Sequence, residues 1–412
     1  MTKEENMLAS FENVISKSSL EQIKSIGIPS SKSESWRYSS LPSFAPTQKL
    51  VTGAGKNPQL PSHLLDMYPN RLVICAGKII ENATKLERGI TLESQDSAIL
   101  SSDFIGVLSS GITQIQHRIS LDGEIAKPLA LIIVEANSHG ECSLEANRLL
   151  ISTTPGTSAE IIEIQLMAHN EDESANVSWR NDDIALELAP NTHLGYVKLV
   201  SSNEHALSLS KFTADLKRDA HLTQTLVTLG GKLTRQDVKV NLLEEGSHAS
   251  IRSLSALRQS EQADLNAFIY HKAANTTSSQ LVKNILDDKS RGVFTGKIYI
   301  EKNAIGVDSN QLSRALLLSK KAQMNARPQL EIYADDVKAA HGATIGQLSD
   351  EELFYLQSRG LTSSKARQML CHGFGLEVIS QIKSADTREL IEASLHDQFE
   401  RHALANLDGG NE

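Results

Sequence analysis

The sequence is poor in cysteine, in aromatic residues and in long apolar runs. Three cysteines, Cys75, Cys142 and Cys371, stand far apart among 412 residues, and no CxxC pair occurs. This spacing excludes a locally built zinc knuckle and a disulfide framework, and it fits a reducing compartment. Aromatic residues make up only 4% of the chain, so the core must be built mainly from Ile, Leu, Val and Ala.

The sequence also lacks an excess of positively charged residues, and it lacks segments that would direct it to a membrane. Lys and Arg number 41 against 50 Asp and Glu, giving a net charge of -9, so no global field attracts nucleic acid or an anionic membrane. No window reaches the roughly 18 apolar residues that a membrane helix requires. The acidic start is followed by no apolar segment, which argues against a signal peptide. We therefore expect a cytoplasmic protein that binds neither nucleic acid nor membrane.

The hydrophobic pattern divides the chain into three predicted parts. Residues 1–118 combine helical spacing near the start with a mixed stretch that is rich in Pro and Gly. Residues 119–345 contain short alternating strands with turn residues about every ten positions. Residues 346–412 return to helix, with Ser349 as the predicted N-cap of the first C-terminal helix.

A weak repeat runs through the strand-rich part. A small residue followed two positions later by an aliphatic one recurs about every 30 residues. The pairs are Ala159 and Ile161, Thr192 and Leu194, Ala220 and Leu222, and Ala249 and Ile251. The simplest physical account is a β-solenoid, whose coils each bury a row of aliphatic side chains against the next coil. A β-sandwich array is the alternative, because its strands alternate similarly. We expect the C-terminal helices to cap the open end of the solenoid.

No local catalytic constellation is recognisable, so we predict that the chain is not an enzyme. The segment from Gly292 to Ile298 looks like a phosphate loop, but it is one residue short and has Ile where Ser or Thr must reach the magnesium ion. It also alternates like a strand. No GxSxG or HExxH motif occurs. Cys371 is followed by His372, but adjacent helix positions point about 100° apart, which favours a buried structural cysteine.

His341 is the candidate site residue among the thirteen histidines. It follows Asp335 and Asp336 in a segment of small residues, where a strand is expected to end. An imidazole placed there would be accessible beside acidic partners, as a metal or proton-transfer site needs. The alternative is that the two aspartates form a turn and His341 bonds to the adjacent backbone.

Three long strings carry a resemblance to a known family. They are FTGKIYIEKNAIGVDSNQLSRALLLS at 294–319, PQLEIYADDVKAAHGATIGQ at 328–347 and LFYLQSRG at 353–360. On these strings the chain resembles the SufB/SufD family of iron-sulfur cluster assembly scaffolds. The segment from Ser35 to Tyr38, SWRY, is similar to the N-terminal signature of the SufD branch of that family.

The resemblance implies a mainly β fold and a place in a complex. The fold would be a right-handed parallel β-helix core with helical N-terminal and C-terminal regions. The function would be that of a non-catalytic scaffold subunit of the SufBCD complex, paired with a SufB-like subunit, or with itself as a homodimer when alone. A SufC-like ATPase would dock on the C-terminal helices. In this family a histidine of the ADDV-x-x-x-HGAT segment faces SufB and is implicated in building the cluster, and it corresponds to His341.

The chain departs from the family at one point that bears on cluster ligation. Relatives often carry a cysteine just after the ADDVK run, where this chain has Ala339 and Ala340. Any cluster at the interface must then take its sulfur donors from the SufB-like partner, because three scattered cysteines cannot form a four-cysteine site. We therefore expect no cofactor bound stably to this chain alone, and a transient iron-sulfur cluster at the interface, with His341 as an interfacial cluster or iron ligand and this subunit assisting iron entry.

Two other classes of function stay open on the residues themselves. One is a stand-alone β-solenoid with a structural or binding role, which would need no ATPase partner. The other is a polysaccharide-active β-helix enzyme, which would need secretion and carboxylates converging on one face of its coils. The absence of a signal peptide disfavours the second class.

Overall fold

Two mainly parallel sheets wound from one chain form the body of the protein. The computed structural model describes residues 2–52, 60–96, 101–134, 141–166 and 178–408. Its strands are β1 (Leu50–Val51), β2 (Arg71–Cys75), β3 (Lys78–Ile79), β4 (Ile90–Asp96), β5 (Ile115–Leu121), β6 (Leu129–Val134), β7 (Cys142–Glu145), β8 (Arg148–Thr153), β9 (Ser158–Leu166), β10 (Ser178–Leu188), β11 (His193–Ser202), β12 (Leu207–Leu216), β13 (His221–Gly230), β14 (Leu233–Leu242), β15 (His248–Leu257), β16 (Gln262–His271), β17 (Thr277–Leu286), β18 (Arg291–Ile300), β19 (Val307–Leu317), β20 (Gln323–Ile332) and β21 (Val337–Gln347).

The pairing of these strands is that of a solenoid. Sheet A runs in the order β20-β18-β16-β14-β12-β10-β8-β5-β4, and sheet B runs β21-β19-β17-β15-β13-β11-β9-β6-β2-β3. Each turn thus contributes one strand to each sheet, and the ladders between successive turns are parallel. A sandwich would pair its strands antiparallel. The predicted mainly β fold, with a parallel β-helix core and terminal helices, is confirmed.

The interior between the two sheets is filled by rows of side chains that repeat from turn to turn. On sheet B one such row contains Leu194, Leu222 and Ala249, all of them buried. On sheet A, Phe212 and Val238 belong to a corresponding row. Burial of one such large apolar side chain contributes about 1.5 to 3 kcal/mol, so stacking of turns is the main stabilising contact.

The predicted repeat places its residues on the correct face of the sheet, but it aligns some of them with the wrong residue of the next turn. Thr192 and Ala220 do lie one above the other at a buried corner, as predicted. Leu194, however, pairs with Ala159, and Leu222 pairs with Ala249, so those two alanines lie two residues further along than the repeat suggested. Because side chains alternate with a period of two, this shift leaves every member on the interior face.

Seven α-helices of the described chain lie outside the sheets. They are α1 (Lys3–Phe11), α2 (Lys17–Ile26), α3 (Ser62–Met67), α4 (Phe104–Ile112), α5 (Asp350–Ser358), α6 (Ser363–Ile379) and α7 (Ala385–Asp408). The predicted cap at Ser349 is confirmed, since its hydroxyl accepts from the backbone N–H of Glu352. The Thr362 hydroxyl caps α6 in the same way. None of the helices among the described residues combines the length and apolarity needed to cross a bilayer.

The C-terminal helices cover a side of the solenoid and not its end, so that prediction is wrong. Helix α6 packs on β15 and β17, and α7 packs on β13, all in sheet B. Cys371, Val378 and Leu395 are buried there in one cluster with Leu254 of the outer face. That face carries apolar rows such as Val227 and Leu254, which must be shielded from water. The burial also confirms the structural interpretation of Cys371.

The N-terminal signature segment is anchored on the outer face of sheet A. Trp36, in a short 3-10 helix, is only 6% exposed, and the Arg235 guanidinium lies 3.6 Å from its ring centroid. Arg235 also contacts the Asp264 carboxylate at 2.6 Å and the Asp237 carboxylate at 3.0 Å. The Ser39 hydroxyl donates to Asp264 as well. The two carboxylates and the aromatic face compensate the charge of this buried guanidinium. The segment therefore fixes the N-terminal region to β14 and β16.

We expect Trp36→Ala to lower the free energy of unfolding by about 3 to 5 kcal/mol, because a buried aromatic ring is lost and Arg235 is deprived of its stacking partner. Urea unfolding followed by circular dichroism measures the change. Arg37→Ala removes the exposed neighbouring side chain and should shift stability by less than about 0.5 kcal/mol. Equal unfolding midpoints for the two variants would contradict the anchoring role.

Candidate functional site at the open end of the solenoid

The solenoid ends in an uncovered pair of strands. β20 is the last strand of sheet A and pairs with β18, while β21 is the last strand of sheet B and pairs with β19. Nothing in the described ranges pairs with their outer edges. β20 is half-buried and most of β21 is exposed. Such an edge presents a row of unpaired N–H and C=O groups to another chain.

His341 lies in the middle of β21 and its side chain is exposed. A strand does end in this segment, as expected, but His341 itself lies within the following strand and not at that end. β20 ends earlier, at Ile332, and the bend at Asp335 and Asp336 leads into β21, so the predicted turn at the two aspartates is present. Short polar residues of this kind favour a bend because their side chains bond to nearby backbone. The strand holds the imidazole at a fixed register position.

The register places His341 at the mouth of the solenoid interior. It pairs with Gln311 of β19, and the same column descends through buried residues of earlier turns. That column contains Gln311, Gln280, Ile251 and Gln224. Ile251 belongs to the core between the sheets, so His341 shares the interior face of its strand.

A layer of buried amides closes the interior beneath His341. Gln311 donates from its Nε2 to Oε1 of Gln280 over 2.8 Å. On the facing sheet, a Cβ added to Gly296 would collide with the Gln311 amide and with the Phe294 ring. The glycine therefore allows the close approach of an amide from the other sheet. The stretch that looks like a phosphate loop lies wholly within β18, as its alternation predicted.

β21 carries alanines and no cysteine next to His341 at the mouth of the solenoid interior. Ala339 lies two residues before the histidine, on the same face of β21, and pairs with Ser309. The Ser309 hydroxyl is in turn 2.6 Å from that of Ser278, one turn further down. Ala340 points to the opposite face, because successive strand residues alternate. Near His341 this strand thus offers small side chains and no sulfur.

The cysteines of the chain lie elsewhere. Cys142 and Cys371 are buried, and Cys75 is half-buried. Burial raises the pKa of the Cys371 thiol to about 12, so it is neither a nucleophile nor a ready ligand. Across the described ranges, no three His, Cys, Asp or Glu side chains converge as a metal site. His341 is therefore a single potential ligand at the open end.

Aromatic and apolar side chains border the open end. The rings of Tyr270, Tyr299 and Tyr333 follow one another with centroids 5.6 Å and 5.4 Å apart. Tyr333 is 59% exposed, and Ile345 of β21 is 51% exposed. Exposed apolar groups beside an unpaired edge are typical of a surface that binds another protein. Sequence analysis missed this row, although Tyr270 and Tyr299 occupy equivalent positions of successive turns.

Helix α5 forms a second exposed apolar surface. It has no buried residue, and Phe354 and Tyr355 are 72% and 57% exposed. Both residues belong to the LFYLQSRG string that carries the family resemblance. Large exposed aromatic side chains on a short helix are poorly explained by the fold of this chain alone.

We expect Gly296→Ala to lower the free energy of unfolding by about 1 to 3 kcal/mol, because the added methyl group displaces the Gln311 amide and breaks its bond to Gln280. Gly346→Ala is the matched control, since a Cβ there meets nothing within 4 Å. Urea unfolding of both variants measures the difference. Equal stability of the two variants would show that the amide layer tolerates a side chain at Gly296.

Comparison with known proteins agrees with this architecture. The family profile described as "SUF system FeS cluster assembly, SufBD core domain" matches residues 133–374. The iron-sulfur cluster assembly protein SufD of Escherichia coli K12 is 29% identical over 387 residues, covering 91% of this chain and 90% of that protein. A SufBD family protein of Synechocystis is 38% identical over 159 residues, which cover 39% of this chain and 35% of that protein. A SufBD family protein of Mycobacterium leprae is 28% identical over 226 residues, which cover 53% of this chain and 58% of that protein.

The core profile spans more than half of the chain, and the similarity to the E. coli protein extends over nearly all of it. The parallel solenoid with terminal helices, the strings at 294–319 and 328–347 and the SWRY segment agree with that similarity. The chain belongs to the SufB/SufD family of iron-sulfur cluster assembly proteins, and within it to the SufD type.

Proposed function

We propose that this chain is the non-catalytic SufD-type subunit of a SufBCD complex and that it pairs with a SufB-like subunit through the open edges of β20 and β21. The observation that carries the proposal is the uncovered last turn with His341 at its mouth. A role in iron-sulfur cluster assembly follows from the family, whereas this particular pairing is our inference.

The last turn leaves backbone groups of β20 and β21 unpaired and large side chains exposed. Strands of a second solenoid could extend both sheets by hydrogen bonding to the outer edges of β20 and β21. The exposed Tyr333 and Ile345 would be buried by the same contact. A homodimer through this edge, when the SufB-like subunit is absent, would use the same groups.

His341 would supply one nitrogen position to a cluster assembled at the interface. Imidazole replaces thiolate at some cluster positions, but the remaining positions require sulfur donors. This chain places Ala339 near the histidine and keeps Cys371 buried, so those donors would come from the partner. We propose accordingly that the isolated chain retains no cluster and that the cluster is cargo of the complex. Assistance with iron entry is the corresponding role of the imidazole.

A SufC-like ATPase would dock on α5 and the adjoining part of α6. The exposed Phe354 and Tyr355 provide the aromatic anchors that dominate many interfaces. Helices α6 and α7 cover the apolar face of sheet B, so deletion of the whole tail would uncover that face. Single substitutions in α5 are therefore the better test of docking.

The family membership favours this assembly over the two other classes. A stand-alone solenoid with a binding role would copurify with neither a SufB-like nor a SufC-like chain. A polysaccharide-active enzyme would release reducing sugars from a polysaccharide. Affinity purification of the chain from its own cells, with identification of the bound chains, separates these functions from the scaffold role.

We expect His341→Ala to leave the SufBCD-like complex assembled while iron and sulfide per complex fall strongly. One exposed imidazole contributes little to a large interface in which a few residues dominate the binding energy, whereas a lost cluster position is not replaced. Complexes purified anaerobically from one host, alongside the isolated wild-type chain, are analysed for iron, sulfide and subunit ratio. His205→Ala, which removes another exposed imidazole, is the control.

An intact His341→Ala complex with normal iron and sulfide would refute the ligand role and favour a merely structural histidine. Stoichiometric iron and sulfide on the reconstituted isolated chain would refute the proposal that the partner must supply the sulfur donors.

We expect Phe354→Ala combined with Tyr355→Ala to weaken binding of the SufC-like ATPase by at least about tenfold, because two central aromatic contacts are lost. The fold should persist, since neither side chain is buried. Isothermal titration of the purified chain with the ATPase measures the affinity. Ile305→Ala, at an exposed apolar residue outside the C-terminal helices, should bind like the wild type. Wild-type affinity of the double variant would refute docking on α5.

A further inference from the structure

A polar groove on the outer face of sheet B is used by none of the surfaces described above. It lies between strands β9, β11, β13 and β15 of sheet B and the connection from α6 to α7, and its volume is about 350 Å³. Three histidines, His193, His221 and His248, lie along it on successive turns, and we call them the histidine ladder. Arg252, Thr223 and Thr225 line the same groove.

The histidine ladder is a direct product of the solenoid register. His193 pairs with His221, and His221 pairs with His248, so each ring lies on the strand next to the last. The first two ring centroids are 4.7 Å apart and stacked, and the next two are 5.5 Å apart. Neighbouring strands are about 4.8 Å apart, so parallel in-register strands bring the rings into contact.

The ladder is poised to gain positive charge when the pH falls. Burial lowers the pKa of His221 and His248, and the neighbouring imidazole of each lowers it further. The Arg252 charge lowers the pKa of His248 as well, whereas Asp219 partly offsets the shift at His221. Both rings therefore resist protonation until further negative charge enters the groove. The charged and titratable groups around them are Glu160, Asp219, Arg252, Lys383, Arg388 and His193.

Arg252 is a cation of the groove that has no carboxylate partner among the described residues. Two of the fully buried cations do have one: Lys198 contacts Glu163 at 2.9 Å, and Arg235 contacts Asp264 at 2.6 Å. Arg252 is half-buried and forms no salt bridge with any described residue. Burial lowers its pKa, which reflects a guanidinium partly removed from water without compensation.

Among the described residues that line the groove, Glu160 is the one carboxylate, and it is already engaged. Glu160 accepts a hydrogen bond from the backbone N–H of Lys383 at 3.3 Å, at the connection between α6 and α7. Burial raises its pKa, so acidification also brings it closer to the neutral form. Falling pH thus adds positive charge to the ladder and removes negative charge from the groove.

We propose that this groove binds a small, multiply charged oxyanion, of the phosphate or polycarboxylate type. The Arg252 guanidinium would bind two of its oxygens, and the Thr223 and Thr225 hydroxyls and the protonated rings of the histidine ladder would bind the others. A metal ion fits the groove less well, because stacked rings face one another and no three-ligand set occurs in the ranges described. The site is independent of the proposed function at the open end.

Titration of the full-length chain with pyrophosphate and with citrate tests the proposal. We expect at least about tenfold tighter binding at about pH 6 than at about pH 8, because the bound anion favours the protonated rings. Isothermal titration gives the affinities, and NMR of the imidazole C–H groups should show the His221 and His248 signals titrating at higher pH when anion is present. Binding of pyrophosphate alone would assign the site to phosphates, and binding of both anions to oxyanions in general.

Two variants and a control make the result specific. Arg252→Gln should weaken binding at both pH values, while His221→Asn should abolish most of the gain on acidification and leave the affinity at about pH 8 unchanged. Arg367→Gln removes an exposed arginine of α6 outside the groove and should bind normally. Thermal unfolding confirms that each variant is folded. Absence of binding by either anion at about pH 6, or wild-type affinity of both groove variants, would overturn the proposal.

Discussion

The structure depends on one constraint: each turn of the solenoid must bury its interior row against the next turn in parallel register. Rows such as Leu194, Leu222 and Ala249 satisfy the constraint through the middle of the molecule. The last turn has no successor, so β20 and β21 keep unpaired backbone groups and exposed side chains. The position of the candidate site is a consequence of where the repeat stops, and His341 becomes accessible because no further turn covers it.

The same register also aligns polar side chains, with opposite consequences inside and outside. Inside, a polar side chain can pair only with another group of the protein, as Gln311 does with Gln280 of the neighbouring strand. Outside, side chains in one column meet water or a helix. The histidine ladder is such a column, and it stays accessible because the helices that cover sheet B bury its apolar rows and leave the rows near the turns open.

Local features of the fold could be predicted from the sequence, whereas contacts between distant segments could not. The cap at Ser349 and the strand at Gly292 to Ile298 depend on neighbouring residues, and both predictions are confirmed. The two-residue error at Ala159 arose because a shift of two positions keeps the same face and leaves little trace in a hydrophobic pattern. The stacking of Trp36 on Arg235 joins residues far apart in the chain, so no local pattern could reveal it.

At the candidate site, the sequence identified the residue but not its setting. The string around His341 was sufficient for the family, yet its small residues and aspartates suggested a strand end, because Ala and Gly are weak strand formers. Pairing with β19 overrides that preference, since the strand continues a ladder that earlier turns have already set. The C-terminal helices were misplaced for a related reason. An unpaired edge exposes backbone groups, but the apolar outer face of sheet B must also be shielded from water, and α6 and α7 pack there. Within the described ranges the outer edges of β20 and β21 therefore stay open.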